Sequence, residues 1–588
     1  MSDPLLPLLV GIVAALSLLG AVAGSVARGS RQAVGFAGAG LGGLGFLVTL
    51  LSLLLGQGAV SLDLPIGLPG YPLRLTLDPL ATFFLLPIFL SGTAGIAVVA
   101  ESGDRAARPS LAGLIWCLAG TTLTILADDG ATMAIGLCLA GGAVWVSGEP
   151  TGDSARPRAL QLGVTVLAAL CVLTAKALPD LPAGGYVLAL VGPAALAGLA
   201  PFHLWSIPAH RAAPARAAAL LSGAMQPLAV YLLVRLLLDL PASLPLWWGV
   251  PLLVAGAATM LTGGWRAACG TELEICLAAL AERQSGLAAT GIGLASIGRA
   301  ADLPAMTILA EEAVLLLVFA HAVCGTLAQL TAGAMRDGAG SRRLSSLGGL
   351  IHSMPSVASA MAAVLYGLSG LPAGVGFAAL WLLFQALLAA PRSPFFALVA
   401  VALALSVALT GAAAVRLFGV AFLGRPRTPR TAGATDIAPA ARPALLVLAG
   451  LALLLGLFPG VAILMSGGAI RQLTSVGLGG RAGVLGLEGL PVLPQVLLGL
   501  AIAGGLVVLL RRRGGESPRL GPGWNDGFAS SPPWLPFGEP LTQWAGAGLL
   551  PVLPRWPGRW RTRRIAAVPV LLGAMAVFLA ALLWLGAG

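Results

Sequence analysis

The chain has 588 residues, 58% of them hydrophobic and 10% charged, with a formal net charge of +11. A soluble domain carries about 25% charged residues, so a soluble globular protein is excluded, and apolar runs recurring from Leu5 to Leu585 exclude a single anchor. The positive charge comes from one lysine, Lys176, and 33 arginines grouped between apolar runs. That pattern orients a membrane protein and lacks the aromatic-interleaved basic stripe of a nucleic-acid binder.

In chain order, apolar runs of helical length fall at 4–26, 33–56, 77–100, 109–127, 131–148, 159–177, 184–204, 217–239, 246–264, 272–297, 303–334, 354–370, 374–390, 395–422, 443–466, 490–510 and 565–587. A helix needs about 20 residues to cross the hydrocarbon layer, so the expectation is an all-α polytopic membrane protein with about 14–17 transmembrane helices. No segment is read as a β-strand. Met1-Ser2-Asp3 gives the first run no basic leader, and Arg28 and Arg31 follow it. The first helix is therefore retained, with its N-terminus outside. Glycine runs such as 38–43 lie inside a helix and read as small-residue packing. Residues 511–564, rich in tryptophan, proline and arginine, read as an extramembrane or interfacial segment.

Two apolar stretches are broken by Gly and Pro: Val191-Gly192-Pro193 through Pro214 to Pro227, and Ser369-Gly370-Leu371-Pro372 to Pro394. Paired, interrupted segments of this kind point to inverted repeats with discontinuous helices. The six cysteines (117, 138, 171, 269, 276 and 324) form no CxxC pair, and the four histidines form no HExxH. No metal, cofactor or redox centre is expected in this chain.

Several motifs carry a family resemblance. Gly198-Leu199-Ala200-Pro201-Phe202-His203-Leu204-Trp205, Pro208-Ala209-His210 and Ala219-Leu220-Leu221-Ser222-Gly223-Ala224-Met225 resemble the AGLxPFHxWLPDAH…SALLSGxMVK signature of the antiporter-like membrane subunits. These are the proton-channel subunits of respiratory complex I, the Mrp antiporters and the membrane-bound hydrogenases. Phe418-Gly419-Val420-Ala421-Phe422-Leu423-Gly424-Arg425-Pro426-Arg427, Leu454-Leu455-Gly456-Leu457-Phe458-Pro459-Gly460 and Gly348-Gly349-Leu350-Ile351-His352-Ser353-Met354-Pro355 are similar to the large membrane subunit of formate-hydrogenlyase-type hydrogenases. Trp524-Asn525-Asp526-Gly527-Phe528 resembles that group's C-terminal WDCGY without its cysteine. The resemblance implies two inverted five-helix repeats, each with a broken helix. It divides the chain into 1–108 (N-terminal helices), 109–264 and 265–424 (the two repeats), and 425–588 (a C-terminal extension).

The resemblance also implies a proton relay of buried carboxylates, lysines and histidines. Matched motif by motif, those positions fall on Cys138, Leu196, Pro227, Glu274, Gln284, Gly325 and Leu380, and no lysine stands at any of them. The ionisable groups left in or beside apolar runs are Glu311, Glu312, His321, His203, His210, Arg235 and Arg416, of which Glu311, Glu312, His321, His203 and Arg416 are the candidates for a rerouted ion path. The alternative reading gives them structural work: Glu311 paired with an arginine, His321 a hydrogen-bonded core histidine, His203 part of its PFHxW motif. The expected function is a membrane-arm subunit of a complex-I-like or hydrogenase-like oxidoreductase complex with a degenerate proton path. A pure scaffold subunit is the alternative, and a stand-alone cation/proton antiporter the third. Expected partners are other membrane and peripheral subunits and the lipid bilayer, in a bacterial plasma membrane.

Overall fold

A computed structural model describes residues 4–25, 30–68, 71–101, 107–148, 155–177, 182–239, 245–439, 441–478, 504–505 and 507–510. Helices dominate because a bilayer offers no water to backbone N–H and C=O groups, and a helix satisfies them within itself. In order they are α1 (Leu5–Ser25), α2 (Arg31–Leu54), α3 (Pro79–Glu101), α4 (Ala107–Leu126), α5 (Gly130–Val146), α6 (Ala155–Ala177), α7 (Pro182–Leu196) and α8 (Ser206–Ala212). There follow α9 (Ala215–Asp239), α10 (Gly249–Cys269), α11 (Leu273–Ala300), α12 (Pro304–Ala339), α13 (Pro355–Leu368), α14 (Val375–Ala389), α15 (Pro394–Phe422), α16 (Arg442–Leu457) and α17 (Pro459–Leu478).

Every helix expected up to residue 466 has its counterpart. Among the described residues eight helices are long and apolar enough to cross a membrane, and the pair α16/α17, bent by 85°, has the form of a broken span or a re-entrant loop. Five shorter apolar helices accompany them. The protein is an all-α polytopic membrane fold. The expected 511–564 segment, the helix at 565–587, the motif at Trp524 and most of the helix at 490–510 lie outside the described residues.

One expectation is corrected. Residues Val60–Leu68 (β1) and Tyr71–Leu77 (β2) pair as an antiparallel hairpin, in register Val60↔Leu77 and Asp63↔Arg74, with an irregularity between Leu64 and Gly67. Pro65, Gly67 and Pro72 argue against a strand locally, but proline is tolerated at edges and bulges. The hairpin packs against α1 and the end of α4, where Leu75 bridges Ala127 and Leu75 and Leu77 are buried.

Both interrupted stretches are breaks. α7 stops at Leu196 and a 3₁₀ turn, Phe202–Trp205, leads into α8; α13 stops at Leu368 and α14 starts at Val375. Gly198 (φ +71°) and Gly370 (φ +73°) turn the chain at these points in the left-handed conformation that glycine adopts without Cβ strain. The element order therefore recurs: three helices, a broken helix and a fifth helix, from α4 to α9 and again from α10 to α15. The expected boundary at 264/265 falls inside the last turns of α10.

Small residues set the closest approaches. On α10, Gly249, Gly256 and Gly263 stand seven residues apart against Gly293, Gly286 and Ala279 of α11, and a Cβ there would meet α11 backbone at 2.5–2.7 Å. Gly38, Gly42 and Gly45 on α2 similarly admit Ile115, Thr93 and Phe89, as the glycine run suggested.

Candidate functional site

Buried charges are the natural place to look for function in a membrane fold. Among the described residues most of them form two clusters and a centre. The first cluster sits where α9 ends, α3 starts and α11 turns into α12. Asp78 caps α3, its Oδ1 accepting from Ala81 N–H at 2.7 Å, and its Oδ2 lies 2.6 Å from Arg235 Nη2. Arg235 also pairs with Asp239 within the π-helical turn Arg235–Asp239. Gln472 of α17 donates to Asp78 at 3.2 Å and to Asp239 at 3.0 Å, joining residues nearly four hundred positions apart. Next to them Arg299 Nη2 meets Glu311 Oε1 at 2.8 Å, with side chains 4% and 0% exposed. Arg299 further donates to the carbonyls of Leu238 and, at 3.1 Å, Leu473. Glu312 lies beside Glu311, its Oε2 buried without a hydrogen-bond partner among the described residues. Lys176, the one lysine, donates to the Asp128 carbonyl at 2.5 Å and adds to this side of the molecule.

The second cluster lines the other side of the first break. Arg266 of α10 donates to His203 Nε2 at 2.9 Å and meets Glu282 Oε2 of α11 at 3.2 Å. Towards the loops, Arg211 bridges Glu272 at 2.7 and 3.0 Å, and Glu274 lies 3.3 Å from Arg336 and 3.4 Å from Arg342. This face carries Arg342, Arg343, Arg425, Arg427 and Arg430 in the loops after α12 and α15. By the positive-inside rule it is the cytoplasmic one.

Between them runs a neutral hydrogen-bonded string. His210 Nδ1 donates to the Ser206 carbonyl at 2.9 Å, which leaves Nε2 to accept from Ser222 Oγ at 3.0 Å. Ser222 belongs to a second π-helical turn, Leu221–Met225, a distortion that often marks functional positions. His321 of α12 donates from Nε2 to Gln226 Oε1 at 2.8 Å. All four side chains are buried.

The centre is Arg283. It is 1% exposed and donates from Nε to Ser406 Oγ at 2.9 Å and from Nη1 to Gln284 Oε1 at 3.1 Å and the Leu368 carbonyl at 3.4 Å. Among the described residues it has no acidic partner.

The candidates from the sequence are thus dispersed. Glu311 and Glu312 stand in the first cluster, His203 in the second, and His321 about 14 Å along α12 from Glu312. Arg416 caps the end of α10, donating to the carbonyls of Ala267 (3.2 Å) and Gly270 (2.5 Å) and to Cys276 Sγ (3.4 Å). Of the matched relay positions, Leu196, Pro227 and Leu380 are packed in apolar core. Gly325 is tightly packed: a Cβ would stand 3.1 Å from Ser222 Cβ and 3.3 Å from His321 Cε1, close enough that these neighbours would have to give way by a few tenths of an ångström. Glu274 is held by arginines and Gln284 by Arg283. Cys138 lies on the exposed face of α5, whose buried face is Met133, Gly136, Leu137, Ala140 and Gly141. The helix therefore carries no buried carboxylate whichever residue takes the matched place. Sequence reading missed Glu282 and Arg283, although two adjacent charges inside the apolar run 272–297 were a visible signal.

Two broken helices flanked by buried charges define a membrane subunit of the ion-transporter class. Residues 181–406 match the family described as NADH:quinone oxidoreductase/Mrp antiporter, TM. NADH-quinone oxidoreductase subunit N of Cereibacter sphaeroides is 32% identical over 356 residues, 56% of this chain and 74% of that protein. The chain belongs to this family of antiporter-like membrane subunits. Formate hydrogenlyase subunit 3 of Escherichia coli is 34% identical over 264 residues, 44% of this chain and 43% of that one. The chain spans about half the length, or somewhat less, of the curated relatives it matches most strongly. A subunit in the structure of the archaeal membrane-bound sulfane sulfur reductase shares the fold, with a TM-score of 0.72 at 20% identity over 97% of this chain and 99% of that one. The hydrogenlyase and oxidoreductase relatives are, by name, subunits of larger complexes.

Proposed function

We propose that this chain is a membrane-arm subunit of a complex-I-like or hydrogenase-like oxidoreductase complex in the bacterial plasma membrane, and that it holds the antiporter position without conducting protons by a lysine relay. The observation that carries this reading is Gly325. It takes the place of a relay lysine, and a side chain there would press on Ser222 and His321, whose atoms stand 3.1 and 3.3 Å from where its Cβ would be. Leu196, Pro227 and Leu380 support it, because no neutral side chain of these types takes up and releases a proton. Asp78, Asp239, Glu274, Glu282 and Glu311 are each bound by an arginine, which stays charged at all working pH values, whereas Glu312 has no such partner among the described residues. The chain's own contribution is then structural: it seals the bilayer and presents its outer helices to neighbouring subunits.

Deleting the gene in its host and isolating the complex tests this. Loss of assembled complex, rescued by a chain carrying Glu312→Gln and His321→Asn with unchanged proton yield per electron, is expected. Rescue of assembly with a lowered proton yield would refute the reading in favour of a rerouted path.

A further inference from the structure

Among the described residues, Arg283 is a guanidinium buried without a counter-charge. Arg283 lies ten residues into the 28-residue helix α11, about 15 Å from its start and hence near mid-bilayer. Its neighbour Glu282 is committed to Arg266 on another side of the helix. What surrounds Arg283 is dipolar: Ser406 Oγ, which itself donates to the Met260 carbonyl at 3.2 Å, the Gln284 amide, and the Leu368 carbonyl. Leu368 is the last residue of α13, so its carbonyl belongs to the orphaned, partly negative end of a half-helix. Nη2 has no hydrogen-bond partner among the described residues.

We propose that Arg283 is the ion barrier of this subunit, a fixed positive charge seated at the second helix break that excludes protons and metal cations from the middle of the membrane. This rests on the non-conducting reading above and assigns it to one residue. Arginine cannot pass a proton on, because it does not lose its own. A second unit charge brought within about 4 Å of it, at an effective dielectric near 20, is disfavoured roughly a thousand-fold. The half-helix end and two hydroxyl or amide dipoles hold the guanidinium in place without cancelling its charge. From Gln284 to Gly298 α11 offers no ionisable side chain, a gap of about 24 Å between Arg283 and Arg299. The same guanidinium therefore separates the His203–Arg266–Glu282 cluster from the Arg299–Glu311 cluster.

The full chain, reconstituted in vesicles with an internal pH dye and driven by a potassium–valinomycin potential, tests the assignment. Wild type and Gly43→Ala, a position where an added Cβ meets nothing within 4 Å, should match empty vesicles, whereas Arg283→Gln and Arg283→His, shown to be monodisperse before reconstitution, should raise proton flux at least ten-fold. Sealed Arg283→Gln and Arg283→His overturn the barrier while leaving the non-conducting reading standing. Flux through the wild type overturns both.

Discussion

Removing the carboxylate of Glu311 should cost the protein more than removing the whole ion pair. Arg299 and Glu311 are 2.8 Å apart with almost no solvent contact. Their attraction at an effective dielectric near 20 is about 6 kcal/mol, most of it offset by desolvation. Glu311→Ala leaves a buried guanidinium with only the Leu238 and Leu473 carbonyls, and such uncompensated charges cost about 3–5 kcal/mol. Arg299→Met with Glu311→Leu removes both charges and two carbonyl hydrogen bonds of about 1 kcal/mol each, so the double variant should lose only about 2 kcal/mol. The assay is a double-mutant cycle on the full chain, unfolded reversibly in mixed detergent micelles. A Glu311→Ala loss below about 1 kcal/mol, or single losses that simply add in the double variant, would refute the view that Glu311 is a structural ion.

Asp78→Ala should destabilise by about 2–3 kcal/mol, because it uncaps α3 and removes a charge-assisted hydrogen bond from Arg235, which keeps Asp239; Asp129→Ala, which only uncaps α5, should cost about 1 kcal/mol, and the same unfolding assay compares them. Tyr231→Phe removes a buried 2.8 Å hydrogen bond to the Ile125 carbonyl and should cost about 1–2 kcal/mol. Gly223→Ala should lower the yield of folded protein in size-exclusion chromatography, since its Cβ would lie 1.8 Å from Thr326 Oγ1, whereas Gly43→Ala, which meets nothing within 4 Å, should purify like the wild type.

Much of this was legible in the sequence because the bilayer allows so few solutions. Apolar runs of about twenty residues had to be helices, and glycine–proline interruptions at 198–201 and 370–374 had to break them. The lysine-free relay rests on motif matching alone: neither Pro227 nor Gly325 offers a titratable amine. What escaped was anything set by three-dimensional partners. Asp78, Asp239 and Gln472 are unremarkable polar residues at helix ends until the fold brings them around Arg235. The carbonyls that Arg416 caps emerge only from the packing of α15 against α10. The hairpin at 60–77 hid behind its prolines. Cys138 matched a relay position by motif spacing, yet helix rotation turns it outward.

The central claim is that this fold keeps its place in the membrane but passes no protons of its own. The most direct measurement is proton flux into sealed vesicles containing only the purified wild-type chain, under an imposed pH gradient and with membrane potential clamped. Flux indistinguishable from protein-free vesicles is the predicted result. Flux that rises with the protein-to-lipid ratio and disappears in a Glu312→Gln, His321→Asn variant would contradict the account.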